Sequence, residues 1–204
     1  MTEGTIKFNC KWEKGEIPVC EETYTRIESA RAWIYSLGMI GIPSTRDGIG
    51  YGNISVRGDD AGTFIISGTA TGGLRDLKQS DYALVTGYNI SENTIECTGL
   101  TQASSESLTH AAIYQSCPEV NAVIHGHCLW LWKKLLNDYP TTSTEIEYGT
   151  PEMAYAVGKL ASEINYEEEK IIVMGGHREG ILVFDSSPVD ATVHFYKIYQ
   201  RYMI

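Results

Sequence analysis

No apolar run in this chain is long enough to cross a bilayer, and Met1-Thr2-Glu3-Gly4 leads into polar and charged residues rather than a signal-peptide core, so a cytoplasmic protein is expected. Nor is there a block of Lys and Arg anywhere in the 204 residues. With a net charge of -10, this argues against nucleic acid and against anionic membrane as partners, because phosphates are bound by clustered cations. The five cysteines, Cys10, Cys20, Cys97, Cys117 and Cys128, are odd in number and lack CxxC spacing, so neither a disulfide framework nor a thiolate zinc knot is indicated. Reduced thiols are expected, and Cys128 stands out only by its place beside two histidines.

At 43% hydrophobic content the chain is long enough for one well-buried domain, taken as residues 1–204, with 1–22 as an added N-terminal arm. In that arm Ile6, Phe8, Cys10 and Trp12 alternate with Lys7, Asn9 and Lys11, the pattern of an edge strand, before Gly15 and Pro18 interrupt it. Apolar residues at helical spacing predict a helix from Thr23 to about Leu37, closed by Gly38 and Gly41. Short strands are predicted at Thr63-Phe64-Ile65-Ile66, at Tyr82-Ala83-Leu84-Val85 and at Thr94-Ile95-Glu96-Cys97, the last two paired across the Asn89 to Asn93 turn. A helix follows from about Ser104 to Ser116, capped by Ser104 or Ser105 and stopped by Pro118. Later come a helix from Cys128 to about Leu136, another from Pro151 to Leu160, and a solvated turn at Glu167-Glu168-Glu169-Lys170. Strands at Ile171 to Met174 and Ile181 to Phe184 form a hairpin, and a final amphipathic helix runs from Val189 to Met203.

The chemistry concentrates at strand ends. Asn121-Ala122-Val123-Ile124-His125-Gly126-His127 is an apolar strand finishing on two histidines, and residues i and i+2 share a face, so both imidazoles can reach one point. Gly126 leaves the backbone free to bend. His177, after Gly175-Gly176, is a third strand-end histidine. Three imidazoles suit zinc or another divalent metal and leave a position open for substrate or water, the mark of a catalytic metal. Glu106, at the start of its helix, could carry a proton, while Ser104, Ser105 and the exposed N–H groups beside them suit a phosphate. A capped helix with a dipole-stabilising carboxylate explains the same residues without function. His110, four residues on, could equally make a structural hydrogen bond to the site or take part in its chemistry. In Gly48-Ile49-Gly50-Tyr51-Gly52-Asn53-Ile54-Ser55-Val56-Arg57, glycines and the Asn53 and Ser55 donors could approach an anion, although the pattern is neither a P-loop nor a dinucleotide fingerprint. His194 lacks strand-end context and is expected to be a surface or packing residue.

In order and spacing, Gly52 to Arg57, Ser104-Ser105-Glu106 with His110-Ala111-Ala112-Ile113-Tyr114, and Pro118 to His127 resemble the class II aldolase/adducin superfamily. The resemblance covers roughly Thr23 to Ala191. It implies an α/β fold with a central, mainly antiparallel sheet flanked by helices, and active sites between subunits of a homo-oligomer, a tetramer by resemblance. It further implies zinc on His125, His127 and His177, Glu106 as catalytic acid/base, and a substrate phosphate on Asn53, Ser104 and Ser105. A hydroxyl of the loop Ser67 to Gly73 joins them, either Ser67 or Thr71. The implied reaction is aldolase-type lyase chemistry on a small phosphorylated hydroxy-carbonyl compound through a metal-stabilised enediolate. A sugar-phosphate epimerase or dehydratase, or a non-catalytic adducin-like interaction module, are the alternatives. Two departures stand out: Arg178-Glu179 separate His177 from the glycine that usually follows it directly, and only Tyr139 or Tyr148 could supply the tyrosine that sugar-phosphate aldolases carry in this region.

Overall fold

The computed structural model describes residues 6–42, 50–165 and 170–203, so Met1 to Gly4, Gly48-Ile49 and Glu167 to Glu169 lie outside the described residues. In chain order the elements are β1 (Asn9–Lys14), α1 (Glu21–Ser36), β2 (Asn53–Arg57), β3 (Phe64–Ser67), β4 (Tyr82–Asn89), β5 (Thr94–Gly99), α2 (Ser107–Ser116), β6 (Ala122–His127), α3 (Leu129–Leu135), α4 (Pro151–Glu163), β7 (Ile171–Val173), β8 (Gly180–Asp185) and α5 (Pro188–Tyr202). Among the described residues the strands form one sheet in the order β1-β5-β4-β3-β2-β6-β8-β7. Every neighbouring pair is antiparallel except β1 with β5, where the arm adds itself in parallel to the sheet edge. The expected mixed fold with a mainly antiparallel sheet is observed.

Alternation along the strands sorts the core into two layers. Val123, Leu182, Phe184, Phe64 and Ile66 face α2 and α4, through Leu108, Ala111, Met153 and Val157. Ala122, Ile124, Ile181, Val183 and Ile54 face α1, α3 and α5, through Ile27, Ile34, Leu131, Phe195 and Ile198. β6 is therefore covered on both sides, and all six of its residues are buried. By the same alternation His125 and His127 follow Val123 onto the α2/α4 side, while Gly126 follows Ile124. A Cβ at Gly126 would stand 2.8 Å from the Phe195 ring, so this glycine admits α5 to the sheet. It does not bend the strand, which runs on through His127.

Local chemistry explains the helix ends. Thr150 and Ser187 accept the N–H groups of Met153 and Asp190, and Pro151 and Pro188 open α4 and α5. α2 departs from the expected Ser104 or Ser105 cap. The Ser104 carbonyl accepts both the N–H and the hydroxyl of Ser107, at 3.0 and 2.7 Å, and this turn delays the helix so that Glu106 occupies the cap position.

α1 is tied to the sheet by a buried ion pair. Arg31, 1% exposed, reaches both carboxylate oxygens of Glu28 at 3.0 and 3.2 Å and also donates to the carbonyls of Leu74 and Arg75. Tyr82 Oη donates to Glu28 at 2.6 Å. Removing one member of such a pair strands the other charge, so Arg31→Ala is expected to cost about 3 kcal/mol. A thermal melt should fall by roughly 6–12 °C; a fall under about 2 °C contradicts this account of how α1 is held.

Candidate functional site

His125 and His127 end β6 on one face, as the period of two requires. His177 comes from the turn joining β7 to β8, where Met174 O accepts the His177 N–H at 3.2 Å and His177 O accepts the Gly180 N–H at 2.9 Å. The two residues separating His177 from Gly180 are absorbed by a left-handed Glu179, φ 79°, whose carbonyl accepts the Cys128 N–H. The turn thus delivers His177 to the pair. Its Nε2 lies 3.0 Å from Nε2 of His127, and the ligand atoms of all three histidines fall within 4.8 Å of one another. A Cβ at Gly180 would stand 2.5 Å from His177 Cδ2 and 3.1 Å from His125 Nε2, so glycine is needed here for the rings to close.

The second layer around the rings comes from three separate segments. Tyr51, held by a bridge to Gly41 and by its hydroxyl on Gly38 O, stacks on His127 at 5.1 Å. Tyr148 packs on His177 at 4.2 Å, delivered by a segment that runs beside β7 through Thr141 and through the Gly175 N–H bond to Thr142. Asn53, opposite His125 in the β2–β6 ladder, brings its amide 3.5 Å from His125 Nδ1. Of Tyr139 and Tyr148, Tyr148 is therefore the one that reaches the histidine cluster. Tyr139 packs into the other layer and accepts a hydrogen bond from Arg201.

Burial sets the protonation. It pulls His125 down to about 3, and it holds His110 and His177 well below the ordinary histidine range, with the nearby His125 adding to both. Neutral imidazoles are the form that binds metal. His125 Nε2 is buried without a hydrogen-bond partner, and so is Asn53 Oδ1. Turning the Asn53 amide about its last bond sets that oxygen on a protonated Nδ1 and leaves a lone pair on Nε2, the tautomer a metal ligand needs. The donor set fits a divalent cation.

Glu106 is buried just ahead of α2, and the Thr109 hydroxyl donates to its Oε2 at 3.0 Å. Ser104 and Ser105 are buried beside it, and Ser104 Oγ accepts the Glu106 N–H. This turn lies near Gly149, next to Tyr148, where a Cβ would stand 3.7 Å from Ser105 O. The loop after β3 runs against the approach to α2 through Gly68 paired with Ala103 and Thr69 N–H on Gln102 O. Within it Thr71 donates to Gly68 O, and Gly72 lies against the Tyr51 backbone. Ser67 sits inside β3 with its hydroxyl accepting the Ile54 N–H.

Ser55, expected among the anion donors, is not at the surface of the site. Its hydroxyl is buried between His110 Nδ1 at 2.7 Å and Tyr114 Oη at 2.8 Å, because strand alternation turns it into the α2 layer. His110 accordingly has a structural bond. Cys128 packs against the α1/α5 core, and His194 stands half-buried 3.9 Å from Asp185. Tyr51 and Lys7 had no role in the sequence reading. The signal that could have found Tyr51 is its place between Gly50 and Gly52, whereas Lys7 carried no local signal.

The chain belongs to the family described as "Class II Aldolase and Adducin N-terminal domain", whose profile matches residues 46–201. Its fold is shared with a sugar-phosphate aldolase from Thermotoga maritima, at 17% identity and TM-score 0.65 over 88% of this chain and 91% of that one. L-fuculose-1-phosphate aldolase from Thermus thermophilus aligns at 16% identity and TM-score 0.60, over 89% and 97% of the two chains. YgbL from Klebsiella pneumoniae, a candidate aldolase/epimerase/decarboxylase, aligns at 18% identity and TM-score 0.64 over 89% and 88%. No curated protein gives a significant sequence match. Among the described residues no helix is long and apolar enough to cross a membrane.

The buried histidines make stability depend on pH in a defined direction. His125 titrates near 3 when folded and near 6.5 when exposed, so the unfolded chain holds the extra proton between those values. Its contribution is complete above 6.5 and lost as pH falls, with a slope of about 1.4 kcal/mol per pH unit for each such histidine. Metal-free protein should therefore melt at a lower temperature at pH 5 than at pH 7, with proton uptake on unfolding measured by calorimetry; a flat profile over that range contradicts the burial of neutral rings.

Proposed function

We propose that His125, His127 and His177 hold a divalent cation, zinc by the chemistry of an all-nitrogen set, and that the chain is an aldolase-type lyase acting on a small phosphorylated hydroxy-carbonyl compound. The observation that carries this reading is the convergence of three buried imidazoles, one with an unpartnered Nε2, in the same layer as a buried carboxylate at the start of α2. When bound, the cation supplies a Lewis acid for the carbonyl and hydroxyl oxygens of the substrate.

The remaining roles fall to the chain's own residues. Glu106 takes the proton from the carbon or hydroxyl beside the carbonyl and returns it, and the Thr109 hydroxyl orients its carboxylate for the transfer. Ser104 and Ser105, with the N–H groups ahead of α2, hold the phosphate. Asn53 serves the same anion while its amide lies on His125. Of the two loop hydroxyls, Thr71 is favoured over Ser67, because it stands in the loop against Tyr51 rather than within a strand. Assembly into a homo-oligomer belongs to the same reading. The partly exposed Trp33, Tyr196, Tyr199 and Trp130, whose rings meet in succession across three helices, offer apolar surface for it. An epimerase or dehydratase on the same residues is the near alternative, which the fold shared with YgbL keeps in view.

Chelator-free protein should carry about one divalent ion per chain by elemental analysis, and His125→Ala should lose it. Glu106→Gln should keep the ion while turnover of sugar phosphates drops by about 10²–10⁴-fold. Absence of metal in the unaltered protein, or full activity in Glu106→Gln, overturns the reading; bound metal without turnover of any sugar phosphate points instead to an interaction module.

A further inference from the structure

The N-terminal arm precedes the residues matched by the family profile, yet it reaches the histidine cluster. Its backbone is fixed where Asn93, in a left-handed turn, donates its side-chain amide to Lys7 O at 2.9 Å, and where Asn9 N–H reaches Asn93 O at 2.8 Å. Phe8 is buried in the α2/α4 core, and the Lys7 side chain beside it is 14% exposed. Lys7 Nζ then donates to Tyr148 O at 2.7 Å, pairs with Glu147 at 3.2 Å and sits 3.7 Å from the centre of the Tyr148 ring. The same ring lies on His177.

Resting on the reading of His177 as a metal ligand, we propose that Lys7 is a positioning residue: its ammonium clamps both the backbone and the ring of Tyr148, and so sets the third imidazole. His125 and His127 are placed by a strand hydrogen-bonded on both sides, whereas His177 stands in a turn and depends on what packs over it. Lys7 is the cation that fastens that cover. Its charge also opposes a metal ion. Glu147 offsets this repulsion, and the support of a ligand outweighs what remains, because loss of a residue that orients a ligand typically costs 10–100-fold in metal affinity.

The test is a double-mutant cycle on metal affinity, read by competition titration with Zn²⁺ and by the visible spectrum of the Co²⁺-loaded protein. Lys7→Met keeps the aliphatic stem and removes the ammonium; it should weaken binding about 10–100-fold and alter the Co²⁺ spectrum. In the His177→Ala background the same change should add less than about threefold, since its effect passes through that ring. Lys11→Ala, which breaks the exposed Lys11–Glu96 pair on the same strand, controls for docking of the arm and should leave affinity unchanged. Equal or tighter binding by Lys7→Met overturns the proposal, as does an equal loss with and without His177, or a like loss in Lys11→Ala. If the unaltered protein binds no metal, the metal-site reading itself fails first, which separates the two conclusions.

Discussion

Three ring nitrogens share a small, buried volume, and most of the molecule's local choices answer to that constraint. A buried polar atom without a partner costs about 1–3 kcal/mol, and His125 Nε2 is such an atom. A cation at that point would turn the cost into a bond. Covering β6 on both faces keeps His125 neutral, since burial holds it near 3. Gly180 is small for the same reason, because any side chain there would hold His177 and His125 apart.

Around the rings the fold divides its labour between rigid and adjustable parts. β2 and β8 flank β6, placing Asn53 opposite His125 and Gly180 opposite His127 through the sheet's own register. The coverings come from longer segments: Tyr51 from the glycine loop, Tyr148 from the stretch after α3, Lys7 from the arm. The carboxylate and the serines arrive by a different route, through a turn that holds α2 back until Ser107. A buried carboxylate and two buried serines at one helix start then share a layer with the nitrogen cluster.

Features with a short repeat were legible in the sequence. The period of two put His125 and His127 on one face, and turn residues located the hairpins of β4 with β5 and β7 with β8. Resemblance in motif order carried the fold and the family. What could not be read depended on contacts distant in the chain. Gly126 suggested a bend, but its reason is the Phe195 ring from α5. Ser55 looked like an anion donor until the α2 layer claimed its hydroxyl for His110 and Tyr114. The insertion of Arg178 and Glu179 raised the question of whether His177 could close on the others, and a left-handed residue answered it. Lys7, 141 positions before Tyr148, left no local trace of its role.

The central claim is that the three rings form one metal centre, with His125 bonding through Nε2. Anomalous scattering from crystals of zinc-loaded protein measures this directly. The account predicts a single peak bonded to Nε2 of His125 and to ring nitrogens of His127 and His177 at about 2.0–2.1 Å. A peak on His125 Nδ1, or zinc bound elsewhere with the three rings left vacant, would contradict it.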